Sequence, residues 1–211
     1  MGDVEAKLSQ SPASTGPTPA FVDHTASGAS SASTRRSGQR PPPKKPSGVD
    51  HGDLDMWIAR DGTWFYRGTP IPRLPLVKLF ASVLRREGDG SYWLVTPVER
   101  GRIDVEDAPF LAVELMTEGE GRRRKLSFRT NLDEIVAAGP DHPLRIDTAA
   151  NGEPAPYVLV RSGLEARLNR PVFYELVELA DAEREAGKAE GDGFGLWSSG
   201  VFFDLGDPED E

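Results

Sequence analysis

Long polar stretches and short apolar runs alternate along the chain, and the texture changes near Leu54. Residues 1–49 are rich in Ser, Thr, Ala, Gly and Pro. They hold too few large apolar side chains to offset the entropy of ordering, so this segment reads as a disordered tail. Beyond it two periods appear. "IARDGTWFYRG" (58–68) is strand, Asp61-Gly62, strand, the pattern of a hairpin closed by a type I′ turn. "PLVKLFASVLRRE" (75–87) then places Leu76, Leu79, Phe80, Val83 and Leu84 at helical spacing, with Pro75 suited to a first turn. "GDG" (88–90) closes that helix and "SYWLV" returns as a strand.

The far half repeats the order. "LRIDTAANGEPAPYVLVRSG" (144–163) is strand, Asn151-Gly152, strand, and Pro171 opens a second helix carrying Val172, Phe173, Leu176, Val177, Leu179 and Ala180. A second "GDG" (191–193) precedes the aromatic strand "FGLW". Arg67 corresponds to Arg161, Pro75 to Pro171 and Gly88 to Gly191, which predicts an internal duplication of a hairpin–helix–strand unit in an α+β fold. Between the copies, Phe110 to Met116 and Lys125 to Arg129 form two strands joined by "TEGEG". Their Glu and Arg residues suit cross-strand ion pairs. The division that follows is a tail over 1–49, an N-terminal α+β domain over 50–102, a C-terminal α+β domain over 103–206 and an acidic tail over 207–211.

Charge changes the picture in one respect. The net charge is -9, but residues 1–49 hold six Lys or Arg against three Asp or Glu, a net +3, so the remainder carries -12. A body that acidic is a poor general binder of nucleic acid. The basic, proline-rich "RRSGQRPPPKKP" (35–46) reads as a solvated linker, or as a polyproline ligand or anionic-surface tether. No apolar run reaches the ~18 residues of a membrane helix, and the N-terminus lacks a signal-peptide core, so a cytoplasmic protein is expected.

The chain contains no cysteine, which removes disulfides, thiolate metal sites and thiol catalysis. Of three histidines only His142 lies well inside the body, with no HxxH, HxH or HExxH spacing and no GxSxG elbow anywhere. Neither "GEGRRRK" nor "GDGSYW" has the spacing of a phosphate-binding loop. No metal or other cofactor is expected.

Six stretches in order, "RDGTWFYRGTPI", "LVKLFASVLRREGDGSYWLVTPVE", "VEDAPF", "RTNLDEIVAAGPDHPLR", "RSGLEARLNRPVFYELVELA" and "WSSGVFFDLG", resemble the proteobacterial domain-of-unknown-function 1285 family over roughly residues 50–206. The resemblance implies a duplicated core whose C-terminal domain is loosely pleckstrin-homology-like, a bent antiparallel sheet closed by a helix. It also implies a site between the domains for a nucleotide-like ligand, and a role in signal transduction.

On the residues themselves, Thr96-Pro97 and Asp107-Ala108-Pro109-Phe110 end and begin strands around the join of the halves. They serve as plain turns or as ligand loops. The ligand reading gathers Thr96, Glu99, Arg129 and Asn131 with the duplicated Arg67 and Arg161, groups suited to a phosphate or carboxylate. The plainer reading pairs the two arginines with acids such as Asp61 or Glu165. The favoured function is a regulatory, ligand-sensing module, more a binder than an enzyme. The alternatives are an enzyme using Glu99, Asp107 and Arg129, and an interaction scaffold.

Overall fold

A computed structural model describes residues 48–149, 152–187 and 193–206. The readings placed on residues 1–47, on Asn151, on Gly191 and Asp192 and on the acidic end therefore lie outside the described residues.

The fold is built mostly of sheet. The first six strands are β1 (Val49–Ile58), β2 (Trp64–Tyr66), β3 (Thr69–Pro70), β4 (Leu84–Arg86), β5 (Tyr92–Val95) and β6 (Glu99–Val105), with helix α1 (Leu74–Val83) between β3 and β4. The next six are β7 (Phe110–Glu118), β8 (Lys125–Thr130), β9 (Ile135–Ala137), β10 (Leu144–Thr148), β11 (Pro154–Arg161) and β12 (Leu164–Leu168). Helix α2 (Arg170–Glu185) and a separate hairpin, β13 (Gly195–Ser198) and β14 (Val201–Asp204), complete it.

The two sheets share one topology. The first runs β3-β2-β1-β6-β5-β4 and the second β9-β8-β7-β12-β11-β10, the same order advanced by six strands. In each, the first and last strands of the repeat pair in parallel, β1 with β6 and β7 with β12, while every other pairing is antiparallel. The chain is thus duplicated, but in a different register from the one its motifs suggest. Strand β5 corresponds to β11, not to the aromatic strand β13. Helix α1 lies inside its repeat and α2 follows the last strand of the second. Arg67 stands in the β2–β3 turn and Arg161 at the end of β11, so they are not equivalent. A hairpin followed by a Pro-started helix is a generic unit, and the matched Arg and Pro residues mark turns and helix starts rather than common descent. β6 stays in the first sheet as far as Val105, past the 102/103 division read from sequence, and residues 106–109 connect the repeats.

Two local expectations also change. The loop after β1 turns through Arg60 and Asp61, with the Ala59 carbonyl accepting from the Gly62 amide at 2.9 Å. Of those residues only Gly62 has positive φ, so this is not a type I′ turn. Positive φ at both central residues occurs instead at Arg67-Gly68, Ser162-Gly163 and Ser199-Gly200, each joining two hydrogen-bonded strands. Helix α1 ends at Val83, Leu84 already belongs to β4, and "GDG" forms the β4–β5 turn. The helix buries Val77 and Ala81, while Leu79 is 61% exposed. The apolar positions of α1 serve two neighbouring faces, which shifts its stripe away from Leu79.

One apolar core runs through both repeats, from Ile58, Trp64, Leu84 and Ile103 to Phe110, Phe128, Val158 and Leu176. Asn169 caps α2 by accepting from the Val172 amide at 2.9 Å, and Val172, Leu176 and Ala180 face inward. The hairpin β13–β14 is pinned by buried Ser198. Its Oγ accepts from the Leu126 amide at 2.9 Å and donates to the Ala138 carbonyl at 2.7 Å.

Candidate functional site

The repeats meet along two clefts. In the first, strand pairing sets Arg145, Tyr157 and Arg167 in one row across β10, β11 and β12. Inward positions of β12 (Leu164, Ala166, Leu168) are buried, so Glu165 and Arg167 project to the opposite, polar face. Asp107, from the connection between the repeats, closes over this row. Its carboxylate takes a hydrogen bond from the Tyr157 hydroxyl at 2.7 Å and another from Arg167, and Arg60 of the first repeat reaches within 3.8 Å. Arg145 is held two-pronged by Glu165, at 2.8 and 2.9 Å. Burial, aided by the neighbouring Asp107 carboxylate, pushes the Tyr157 hydroxyl up to about 12. Burial disfavours the Arg167 cation, but its hydrogen bond to Asp107, the charge of that carboxylate and the Tyr157 hydroxyl together raise its pKa.

Beside this network opens a cleft of about 260 Å³ lined by Arg60, Arg167 and Arg170, with Leu111, Pro156 and Phe173 among its apolar walls. It lies at the N-terminus of α2, where Asn169 and Arg170 begin the helix. Arg170 pairs with Glu153 at 3.0 Å. Three guanidinium groups from both repeats therefore share one recess in an otherwise acidic body.

The second cleft, about 380 Å³, lies against α1. Lys78, Ala81 and Ser82 of α1 face Phe110, Leu132, Glu134 and Arg161. Arg161 is fully engaged: it pairs with Glu134, donates to the Ala81 carbonyl at 2.9 Å and stacks over the Phe110 ring, 5.0 Å from its centroid. Lys78 binds Asp133 at 2.6 Å, and Asp133 also meets Arg129, which pairs with Glu114 across the β7–β8 ladder. The Lys78 hydrogen bond holds the Asp133 carboxyl below the usual range.

The residues singled out from sequence do not converge. Arg161 lines the second cleft, and Arg129 lies two ion pairs from it. Asn131 is a bridge: its side chain accepts from the Leu111 amide at 3.1 Å and donates to the Gly62 carbonyl of the first repeat at 3.4 Å. Arg67 lies in the first sheet beside Asp55, 3.9 Å away. Thr96 and Glu99 sit at the β5–β6 turn, where the Thr96 hydroxyl donates to the Glu99 carbonyl at 3.0 Å. Of the plainer pairings expected, Arg67 meets Asp55 rather than Asp61, and Arg161 meets Glu134 rather than Glu165. Sequence reasoning missed Arg60, Arg167 and Arg170. The available signals were the "NRP" helix start at 169–171 and the alternation in "LEARL", which puts Arg167 on a polar face.

The N-terminal domain model of the DUF1285 proteins, a domain of unknown function, matches residues 41–108, and the C-terminal domain model matches residues 109–205. The chain belongs to the DUF1285 family. Two solved DUF1285 structures are similar to it. A protein from Silicibacter pomeroyi DSS-3 is 47% identical with a TM-score of 0.69, over 79% of this chain and 90% of that one. Another, from Shewanella baltica OS155, is 30% identical with a TM-score of 0.46, over 60% of this chain and 91% of that one. No curated protein matches. The DUF1285 models divide at 108/109, within the connection that carries Asp107. Among the described residues no helix is long and apolar enough to cross a membrane.

Proposed function

We propose that this DUF1285 protein is a regulatory, ligand-sensing module that binds a phosphate- or carboxylate-bearing, nucleotide-like small molecule between its repeats. The observation that carries this is the sharing of one cleft by Arg60 of the first repeat with Arg167 and Arg170 of the second. Guanidinium groups suit two-pronged recognition of such anions, and the α2 N-terminus adds favourable field. Phe173, Leu111 and the prolines offer an apolar wall for a ring. A ligand gripped from both repeats favours the conformations in which they are closed together, which is the physical basis of sensing. Signal transduction in the cytoplasm, and a pleckstrin-homology-like character for the second repeat, whose sheet is followed by α2, belong to the same reading.

The test is thermal shift and calorimetry with nucleoside mono- and diphosphates and inorganic phosphate. Wild type should be stabilised by at least one of them at millimolar concentration. Arg60→Gln and Arg170→Gln, both on exposed side chains, should weaken that response at least tenfold with little change in melting temperature. Lys125→Gln, at the exposed first position of β8, should respond as wild type. Absence of any response, or an unaltered one in both arginine variants, rejects the proposal. Turnover of the bound compound would replace sensing by catalysis.

A further inference from the structure

A third cavity, of about 340 Å³, lies wholly within the first repeat, on the side of α1 away from the repeat junction. Phe80 and Val83 of α1 roof it, and Leu54, Met56, Leu94 and Gly101 of the sheet form its floor. The strand beneath is bulged to build it. β1 slips register against β6 between Asp50 and Asp53 and again between Asp53 and Trp57, and Gly52 and Asp55 take positive φ on either side of Leu54. Leu54 lies over Gly101 so closely that a Cβ there would come within 2.4 Å of it. Bulges beside a cavity, here with Asp55 held in the left-handed region, recur next to binding sites.

The mouth has its own chemistry. His51 and Glu99 meet across it at 3.1 Å, and among the described residues His51 is the partner of the Glu99 carboxylate. Arg100 contributes to the lining, but its guanidinium lies 3.7 Å from the centroid of the Trp93 ring and pairs with Asp50 and Glu87. The Thr96 hydroxyl is spent on the turn itself. The group presented to a ligand's head is therefore a carboxylate, in a region that also holds Asp50 and Glu87, and the body of the site is apolar.

We infer that this cavity binds a small apolar amine, its chain between α1 and the sheet and its ammonium group on Glu99 in place of the His51 imidazole. An apolar carboxylate of equal size is disfavoured there by Glu99. The site is separate from the arginine cleft and does not depend on it.

The probes are n-octylamine, octan-1-ol and octanoate, read by calorimetry and by the methyl resonance of Met56, one of three methionines in the chain. Octylamine should shift the Met56 methyl and bind at least tenfold tighter than octanoate. Glu99→Gln should lower octylamine affinity about tenfold, towards that of octan-1-ol. Val83→Trp, filling the roof, should abolish binding of all three, and Val83→Phe takes its place if that variant does not fold. Arg170→Gln should leave octylamine binding intact even where it loses an anion response. The inference is overturned if octanoate binds as tightly as octylamine, if Glu99→Gln changes nothing, if the Met56 methyl does not move, or if the folded roof variant binds normally.

Discussion

The guanidinium of Arg161, at the end of β11 in the second repeat, donates to the carbonyl of Ala81 at the last turn of α1 in the first, at 2.9 Å. The Ala81 carbonyl also accepts from the Leu84 amide, so the contact gives it a second donor and sets a cation at the negative end of the helix dipole. The same side chain pairs with Glu134, so one residue fixes the position of α1 against the second sheet. Helix α1 in turn walls both the junction cleft and the apolar cavity.

Arg161→Leu should therefore destabilise the protein by about 1–3 kcal/mol, because it strands the half-buried Glu134 carboxylate and removes one of two donors to the helix carbonyl. Urea melts give the value. Glu134→Gln combined with Arg161→Leu should cost less than the sum of the single changes. Additivity would show that the two side chains act independently.

The two helices separate a residue on the core from one on the surface. Leu176 is fully buried under α2, so Leu176→Ala should cost about 2–5 kcal/mol. Leu79 fits the apolar spacing of α1 equally well, yet it faces solvent, and Leu79→Ala should cost under about 0.5 kcal/mol. Similar losses in both would mean that α1 is rotated about its axis.

That contrast shows what was legible in the sequence and what was not. Periodicity located both helices, because Pro75 and Asn169-Arg170-Pro171 mark their starts. It could not rotate α1, since Leu76, Phe80 and Val83 are as apolar as Val77 and Ala81, and tertiary packing alone decides which row meets the sheet. Duplication was visible as rhythm, but its register depends on the parallel pairings β1–β6 and β7–β12. Those join strands about fifty residues apart and leave no local signature. The join of the repeats was marked by Asp107-Ala108-Pro109. The convergence of Arg60 and Arg167 on Asp107 needed the fold, because those residues are 47 and 60 positions from it.

The Arg run after β7 holds a further case. Arg124 is 3% exposed and pairs with Glu183 on α2, while among the described residues its Nε and Nη1 have no hydrogen-bond partner. Removing one charge leaves the other buried and unmatched, so Glu183→Ala should cost about 3–5 kcal/mol. Replacing both, Arg124→Met with Glu183→Leu, should recover most of that loss. If the double variant is no more stable than the single one, the pair itself stabilises α2 rather than merely avoiding a stranded charge.

The hydroxyl of Tyr157 gives the fold a dependence on alkaline pH. Its pKa is raised by burial and by Asp107 to about 12, above the ~10 of an exposed tyrosine. Between those values the unfolded chain releases a proton that the folded chain retains. The contribution is therefore fully present below pH ~10 and is lost as pH rises towards 12, at most ~2.7 kcal/mol for this rise in pKa and about 1–2 kcal/mol after solvent screening at this partly open site. Tyr157→Phe keeps the ring between Arg145 and Arg167, whose guanidinium groups lie 4.4 and 5.9 Å from its centroid, and removes the titrating group. The variant should be less stable at neutral pH, because Asp107 loses a 2.7 Å hydrogen bond. Its stability should also fall less steeply than that of wild type between pH 10 and 12. Parallel pH profiles for the two proteins over that range would remove Tyr157 from the network that holds Asp107 over the arginine cleft.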